Sequence, residues 1–338
     1  MTNLLEVENL IKHFPIRTGL FQREKGYVHA VDCISFSIGE RQTLGLAGES
    51  GCGKTTTGRL ILRLIEPDGG IIRFMGKDIL KTSDSEMKAL RTKMQIIFQD
   101  PYASLNPRKT IKQILTQPFQ MYEDLSWKEI ETKVVELLKS IGLNPAELFM
   151  DRHPHELSGG QRQRVVVARA IALRPKFVVA DEPVSALDMS VRAQILRIMR
   201  DLQEEFNLTC LFITHDLAVL RSMADTVAIM YLGKLVEIGS VDQMFGDPLH
   251  PYTRALLSAT PVPKPRLARS RKRMILKGDV PSPIDPPKGC RFHTRCPFRR
   301  QDCTCDPEPS LLEYENGHSA ACPYAREIAS VLQLQGND

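Results

Sequence analysis

Apolar residues recur along this chain with two periods, and the alternation between them lays out the fold. Ala30 to Ile38 (AVDCISFSI) alternates apolar and polar positions, which predicts a strand with one buried face. A turn at Gly39-Glu40 leads into a short apolar strand, Gln42 to Ala47. A glycine-rich loop follows, then a helical stretch from Lys54 to Ile65 that Pro67-Asp68-Gly69-Gly70 ends. From about 101 to 155 the pattern is helical, with Val134, Leu137, Leu138 and Ile141 at i, i+3, i+4 and i+7. Another helix begins near Gly160 and stops at Leu173-Arg174-Pro175. Phe177 to Ala180 reads as a buried strand and Thr209 to Ile213 as the next one. Between them Val191, Ile195, Ile198, Leu202 and Phe206 form a second helical stripe. Strands alternating with helices predict an α/β fold, a mainly parallel sheet covered by helices.

Beyond about residue 245 the character changes. Prolines at 248, 251, 261, 263, 265, 281, 283, 286 and 287 predict a linker leading to a small module. A length of 338 residues fits one large domain with a smaller one attached. The net charge of +5 is too small to argue for nucleic acid. Part of it sits in the run Lys264 to Lys277, which holds seven basic residues and no acid. That run reads as a solvated linker or as a patch facing anionic lipid headgroups. The longest apolar run, Val227 to Leu232, is far short of the ~18 residues a membrane span needs. Glu6 and Glu8 near the start argue against a signal peptide, so a membrane role would be peripheral. Cys33, Cys52 and Cys210 are scattered, whereas Cys290, Cys296, Cys303, Cys305 and Cys322 crowd the end. With no secretion signal expected, that crowding favours a metal site over disulfides.

Two motifs carry chemistry. Gly48-Glu49-Ser50-Gly51-Cys52-Gly53-Lys54-Thr55, followed by Thr56, fits G-x-x-x-x-G-K-[ST] between a strand and a helix. Its backbone N–H groups and the helix N-terminus suit phosphates, Lys54 the β/γ phosphates, and the Thr55 hydroxyl Mg²⁺. The apolar strand Phe177 to Ala180 ends in Asp181 and Glu182. Ligands of open parallel sheets bind beyond the carboxyl ends of strands. Asp181 is therefore placed for the Mg²⁺ shell, and Glu182 to take a proton from attacking water. Two acids ending a strand are common on surfaces; with the phosphate loop they point to MgATP hydrolysis. No internal repeat is visible, so one such unit is expected.

Leu157-Ser158-Gly159-Gly160-Gln161 stands 22 residues before Asp181, counted from Gly159. A generic phosphate-loop ATPase has no such element. It resembles the signature of the ABC ATPase family, and residues 4 to about 245 resemble that family throughout. The resemblance implies an ABC-type core with an N-terminal antiparallel β subdomain and a helical subdomain at about 101–155. It also implies that Ser158, Gly159, Gly160 and Gln161 bind the γ-phosphate held on a partner subunit, two subunits sandwiching two ATP. Gln99, in Ile97-Phe98-Gln99-Asp100, resembles the glutamine that contacts Mg²⁺ and water. Asp188, in Ser185-Ala186-Leu187-Asp188, resembles the loop that crosses the dimer interface. His215 resembles the switch histidine near the γ-phosphate. Phe14, with Tyr27 as its rival, is the candidate for stacking on adenine.

His250 to Leu257 (HPYTRALL) and Gly289 to Pro297 (GCRFHTRCP) resemble the C-terminal extension of oligopeptide and dipeptide importer ATPases. The wording of residues 97–107 and 160–164 resembles the second of the two ATPases such systems carry. The expected organisation is a nucleotide-binding domain over 1–245, a proline-rich, basic linker over 246–288, and a cysteine module over 289–325. Cys290, Cys296, Cys303 and Cys322 resemble the ligands of a four-iron four-sulfur cluster found in some members. Four thiolates also suit structural zinc, free thiols remain a third reading, and Cys305 could replace Cys303. The resemblance implies an ATPase that powers import of peptides or other small solutes from the cytoplasmic face of the inner or plasma membrane. Its partners would be a sister ATPase, two permease subunits and, indirectly, a solute-binding protein, with no nucleic acid. The rival is a soluble ABC ATPase acting on nucleic acid or ribosomes. Those usually carry coiled-coil or zinc insertions, or two ATP units, none of which is visible here.

Overall fold

The computed structural model describes residues 3–18, 23–260 and 274–334. Apart from 274–277, the basic run 264–277 lies outside the described residues. The chain packs as two units: Gly39–Gln42 with Lys81–Ile213, and Asn3–Ile38 with Thr43–Leu80 and Thr214–Asp338.

The first unit holds the parallel strands Met94–Ile97, Phe177–Asp181 and Thr209–Ile213. The middle strand pairs with both neighbours, Ile97 opposite Ala180 and Asp181 opposite Ile213. Every residue of the latter two strands is buried, as expected of strands covered on both faces. The region expected to be helical carries Pro101–Ser104, Ile111–Tyr122, Trp127–Ser140 and Glu147–Met150. The two longer helices start at capping boxes, Thr110 with Gln113 and Ser126 with Glu129. The stripe Val134, Leu137, Leu138 and Ile141 is buried as its spacing predicts. In the helix Met189–Phe206 the buried positions are Ile195, Met199 and Leu202, while Ile198 is only half-buried. At 3.6 residues per turn Met199 completes the i, i+4, i+7 stripe from Ile195, and Ile198 falls on its flank.

The second unit holds a four-stranded sheet in the order Arg23–Gly39, Asn3–Thr18, Gly69–Phe74, Lys77–Asp78. Asn3–Thr18 runs antiparallel to Gly69–Phe74, with Val7 opposite Ile72. The helix after the glycine-rich loop, Lys54–Ile61, is shorter than expected. Arg63 turns left-handed (φ 47°), and the Leu64 N–H donates back to the Arg59 carbonyl at 2.9 Å, closing the helix.

This unit departs most from the sequence reading in its pairing. Thr43–Ala47 lies parallel to Thr226–Tyr231, but Thr226–Tyr231 and Lys234–Ser240 form an antiparallel hairpin. Its two-residue turn, Leu232-Gly233, has positive φ at both positions, the twist that suits a tight hairpin. His318–Ala320 and then Leu312–Glu315 continue the antiparallel pairing from Lys234–Ser240. The pairing is therefore mixed. The stretch 246–288, read as linker from its prolines, contains the helix Pro251–Ala259 with Tyr252 fully buried. Pro251 sits at a first-turn position, where its missing N–H costs nothing. Among the described residues no helix is long and apolar enough to cross a membrane.

Candidate functional site

The phosphate loop lies in the second unit, between Thr43–Ala47 and Lys54–Ile61. Gly53 is the helix N-cap, with φ 110° and no side-chain cap. A Cβ there would stand 2.0 Å from the Ala30 carbonyl oxygen, so only glycine lets the loop close. The N-cap glycine thus supplies no side-chain cap, and the positive end of the helix dipole faces the loop. Lys54 is buried, and its Nζ donates to the Gly48 and Glu49 carbonyls at 2.9 Å each. The ammonium is therefore held across the mouth of the loop. Cys52 is buried beside it, and that burial pushes its thiol upward. Ser50 and Gly51 are exposed, Thr55 and Thr56 half-buried on the first turn.

His215 is in the same unit and exposed. It follows Thr214, whose N–H donates to the Leu46 carbonyl at 3.2 Å. Its backbone is thereby tied to the strand that enters the phosphate loop. Phe14 is half-buried under Lys12, whose Nζ stands 5.5 Å from the ring centre, and Tyr27 is 45% exposed.

In the first unit Asp181 ends its strand, 3% exposed, and Glu182 follows at φ 46°. A left-handed backbone is strained for glutamate, and it turns the chain immediately after the strand. The Gln99 amide donates to the Glu182 carboxylate at 3.2 Å, so the structure brings these two predicted residues together. Ser158 caps the helix Gly159–Ile171 in a capping box with Gln161. The Gln161 N–H donates to the Ser158 hydroxyl at 3.3 Å, and the Ser158 N–H to the Gln161 side chain at 3.0 Å. A Cβ on Gly160 would stand 2.4 Å from a Val191 methyl, so this glycine admits the helix Met189–Phe206. Asp188 caps that helix, accepting from the Val191 N–H at 3.0 Å.

Cys290, Cys296, Cys303 and Cys322 line one cavity of about 440 Å³ in the second unit, with Cys305 also on its wall. None is in a disulfide, and no three of their sulfurs lie within 4.8 Å of one another. Burial, with neighbouring cysteines adding to it, pushes the Cys290 and Cys296 thiols up to about 11 and Cys322 to about 12.

Sequence reasoning missed the polar network beside this cavity. Glu237 is fully buried and accepts from the Leu249 and His250 N–H groups at 2.7 and 2.8 Å and contacts His318 Nε2 at 2.7 Å. His250 Nδ1 caps the next helix by accepting from the Tyr252 N–H at 3.1 Å. Burial pushes that imidazole down to about 4, against the pull of Glu237. The Glu49 N–H donates to the Tyr252 hydroxyl at 3.0 Å, and Arg295 is paired with the Glu49 carboxylate. The one signal was the clustering of His250, Tyr252, Arg291 and Arg295 in two motifs that served only to mark resemblance.

The chain is similar to known proteins in both sequence and fold. Residues 31–185 match the ABC transporter family, and residues 236–303 match the oligopeptide/dipeptide transporter C-terminal region. The chain is 51% identical to the oligopeptide transport ATP-binding protein AppF of Bacillus subtilis, over 94% of this chain and 96% of that one. It is 49% identical to the dipeptide transport ATP-binding protein DppF of Haemophilus influenzae, over 95% and 96%. Among solved structures, cbiO1 of Clostridium perfringens, part of the ABC transporter complex cbiONQ, superposes with a TM-score of 0.62 at 26% identity, covering 73% of this chain and 92% of that one. A dimeric ATP-binding cassette in a post-hydrolysis state with ADP and Pi also gives 0.62, at 27% identity over 70% and 98%. The chain therefore belongs to the ATP-binding proteins of the ABC transporter family, in the group that carries the oligopeptide/dipeptide C-terminal region.

Proposed function

We propose that this ABC ATPase energises import of oligopeptides, dipeptides or related small solutes. The observation that carries the reading is a single unit holding both an uncapped phosphate-loop helix and a four-cysteine C-terminal pocket. Residues 1–245 then form the nucleotide-binding domain, 246–288 the connection and 289–325 the cysteine module.

In this reading residues 48–56 take ATP, Lys54 neutralising the β/γ phosphates and Thr55 and Asp181 serving the metal. Mg²⁺, when bound, draws off charge from the phosphate oxygens. Glu182 accepts the proton of the attacking water at its carboxylate, and the Gln99 amide holds that carboxylate in place. The strained backbone at Glu182 supports this role, since strain of this kind gathers at working sites. His215 senses the γ-phosphate, and Phe14, or its rival Tyr27, stacks on adenine. Ser158, Gly159, Gly160, Gln161 and Asp188 serve the nucleotide of a sister ATPase.

The partners are that ATPase and two permease subunits, with a solute-binding protein acting indirectly. The chain is then peripheral on the cytoplasmic face of the membrane. Recovery of the tagged chain from detergent-solubilised host membranes tests this. Two polytopic proteins and a second ATPase are expected; recovery only with ribosomes or nucleic acid would defeat the reading.

Cys290, Cys296, Cys303 and Cys322 are further proposed as ligands of a four-iron four-sulfur cluster. Tetrahedral zinc–thiolate bonds of about 2.3 Å bring sulfurs to roughly 4 Å of one another. A cavity of about 440 Å³ has room for a cluster, and the sequence spacing of the four cysteines lacks the C-x2-C pairs of common zinc modules. Cys290→Ser and Cys322→Ser should each lower metal content and protease resistance. Unchanged values in both would remove the cluster.

A further inference from the structure

Two arginines in the Cys290–Cys296 loop reach out of the cysteine module. Arg291 donates to the Leu232 carbonyl and to the Asp32 carboxylate. Arg295 donates to both carboxylate oxygens of Glu49, at 2.7 and 3.1 Å. Its side chain is 9% exposed and that of Glu49 28%, so the pair is a fork of two charge-assisted bonds partly shielded from water.

Glu49 is the second residue of the phosphate loop. A free carboxylate there would repel the phosphates the loop is built to receive. The same residue is held from its backbone, where its N–H meets the Tyr252 hydroxyl at 3.0 Å. Tyr252 is fully buried, packed 4.8 Å from Tyr231 and 5.3 Å from Phe292 between ring centres. Val280–Pro283 and Glu49–Cys52 wall a shared hollow of about 260 Å³. Every one of these braces comes from beyond residue 230, and the loop braced this way carries no side-chain cap of its own.

The geometry points to Arg295 as a positioning residue of the nucleotide site: its clamp on Glu49 neutralises that carboxylate and fixes the phosphate loop in its receiving shape. The inference rests on residues 48–55 being the ATP-binding loop. It needs no metal in the cysteine pocket. It makes the C-terminal extension a determinant of ATP affinity.

A double-mutant cycle on the full chain tests it, read as the equilibrium affinity for a fluorescent ATP analogue with Mg²⁺. Arg295→Ala, which leaves the Glu49 carboxylate unpaired, should weaken affinity about tenfold, the range for charge-assisted bonds, and Glu49→Ala, which removes the repelling carboxylate along with the tether, should weaken it less. The double variant should be no weaker than the worse single one, and Arg295→Lys should fall between wild type and Arg295→Ala. Thermal melting in parallel separates positioning from mere stability. A melting shift with affinity within twofold of wild type, or losses that add in the double variant, would overturn the clamp. Wild type that binds no nucleotide, or Lys54→Ala that binds it normally, would overturn the loop assignment instead.

Discussion

Two helices in this chain begin where the resemblance expects a phosphate, and they begin differently. At Gly53 the helix has no side-chain cap, and a buried lysine spans the loop before it. At Ser158 the helix closes on itself, Ser158 and Gln161 satisfying each other's N–H groups. One terminus is built open and held by distant parts of its own unit. The other already has two of its N–H groups, those of Ser158 and Gln161, satisfied by its own side chains. The difference suits a loop that binds nucleotide within one subunit and a signature that engages only when a second subunit brings nucleotide to it.

The largest expected effect separates holding from chemistry. Glu182→Gln should keep ATP binding and lose about 10²–10⁴-fold in hydrolysis, measured as phosphate release by assembled transporter. Turnover near wild type would move the base elsewhere. Next comes the open terminus. Lys54→Ala removes the cation across the loop and should cost on the order of 10²–10³-fold in hydrolysis, with nucleotide affinity lost in the isolated chain as well.

The third test weakens the brace with acid. His250 titrates near 4 when folded and near 6.5 when exposed. Its stabilising effect is complete above about pH 6.5 and is lost as pH falls toward 4, because only the unfolded chain takes up the proton there. The loss approaches about 3 kcal/mol. Denaturant melts at pH 7 and pH 5 should show this slope in wild type and not in His250→Asn, whose shorter side chain can still cap the helix.

The smallest effect belongs to the closed terminus. Ser158→Ala should cost about 1 kcal/mol of stability and leave nucleotide affinity of the isolated chain unchanged, while slowing hydrolysis in the assembly. A drop in the isolated chain's affinity would erase the contrast between the two termini.

How much of this could be read from the sequence depends on the distance over which each feature is encoded. The phosphate loop, the capped signature and the strand ending in Asp181 are local, each written in a few consecutive residues. The stripe of Val134, Leu137, Leu138 and Ile141 is local too, and it is buried as spaced. The hairpin at Leu232-Gly233 was missed because its turn lacks the usual asparagine or aspartate. Prolines hid the helix Pro251–Ala259, since the same residue that breaks a helix interior can open one. The links from Arg295 to Glu49 and from Glu237 to His318 span 246 and 81 residues, and no periodicity reports on them. Nor does any local pattern explain how four cysteines spread over 33 residues come to line one cavity.

The strand pairing of Lys234–Ser240 has a consequence for synthesis. Its outer edge is covered by His318–Ala320, which the ribosome adds roughly eighty residues later. At roughly 5–20 residues per second that edge stays bare for on the order of 4–16 s, offering unpaired N–H and C=O groups to any neighbouring nascent chain. A chain cut short before residue 318 would keep this edge exposed for good, and inclusion bodies would be its expected fate in an overexpressing cell.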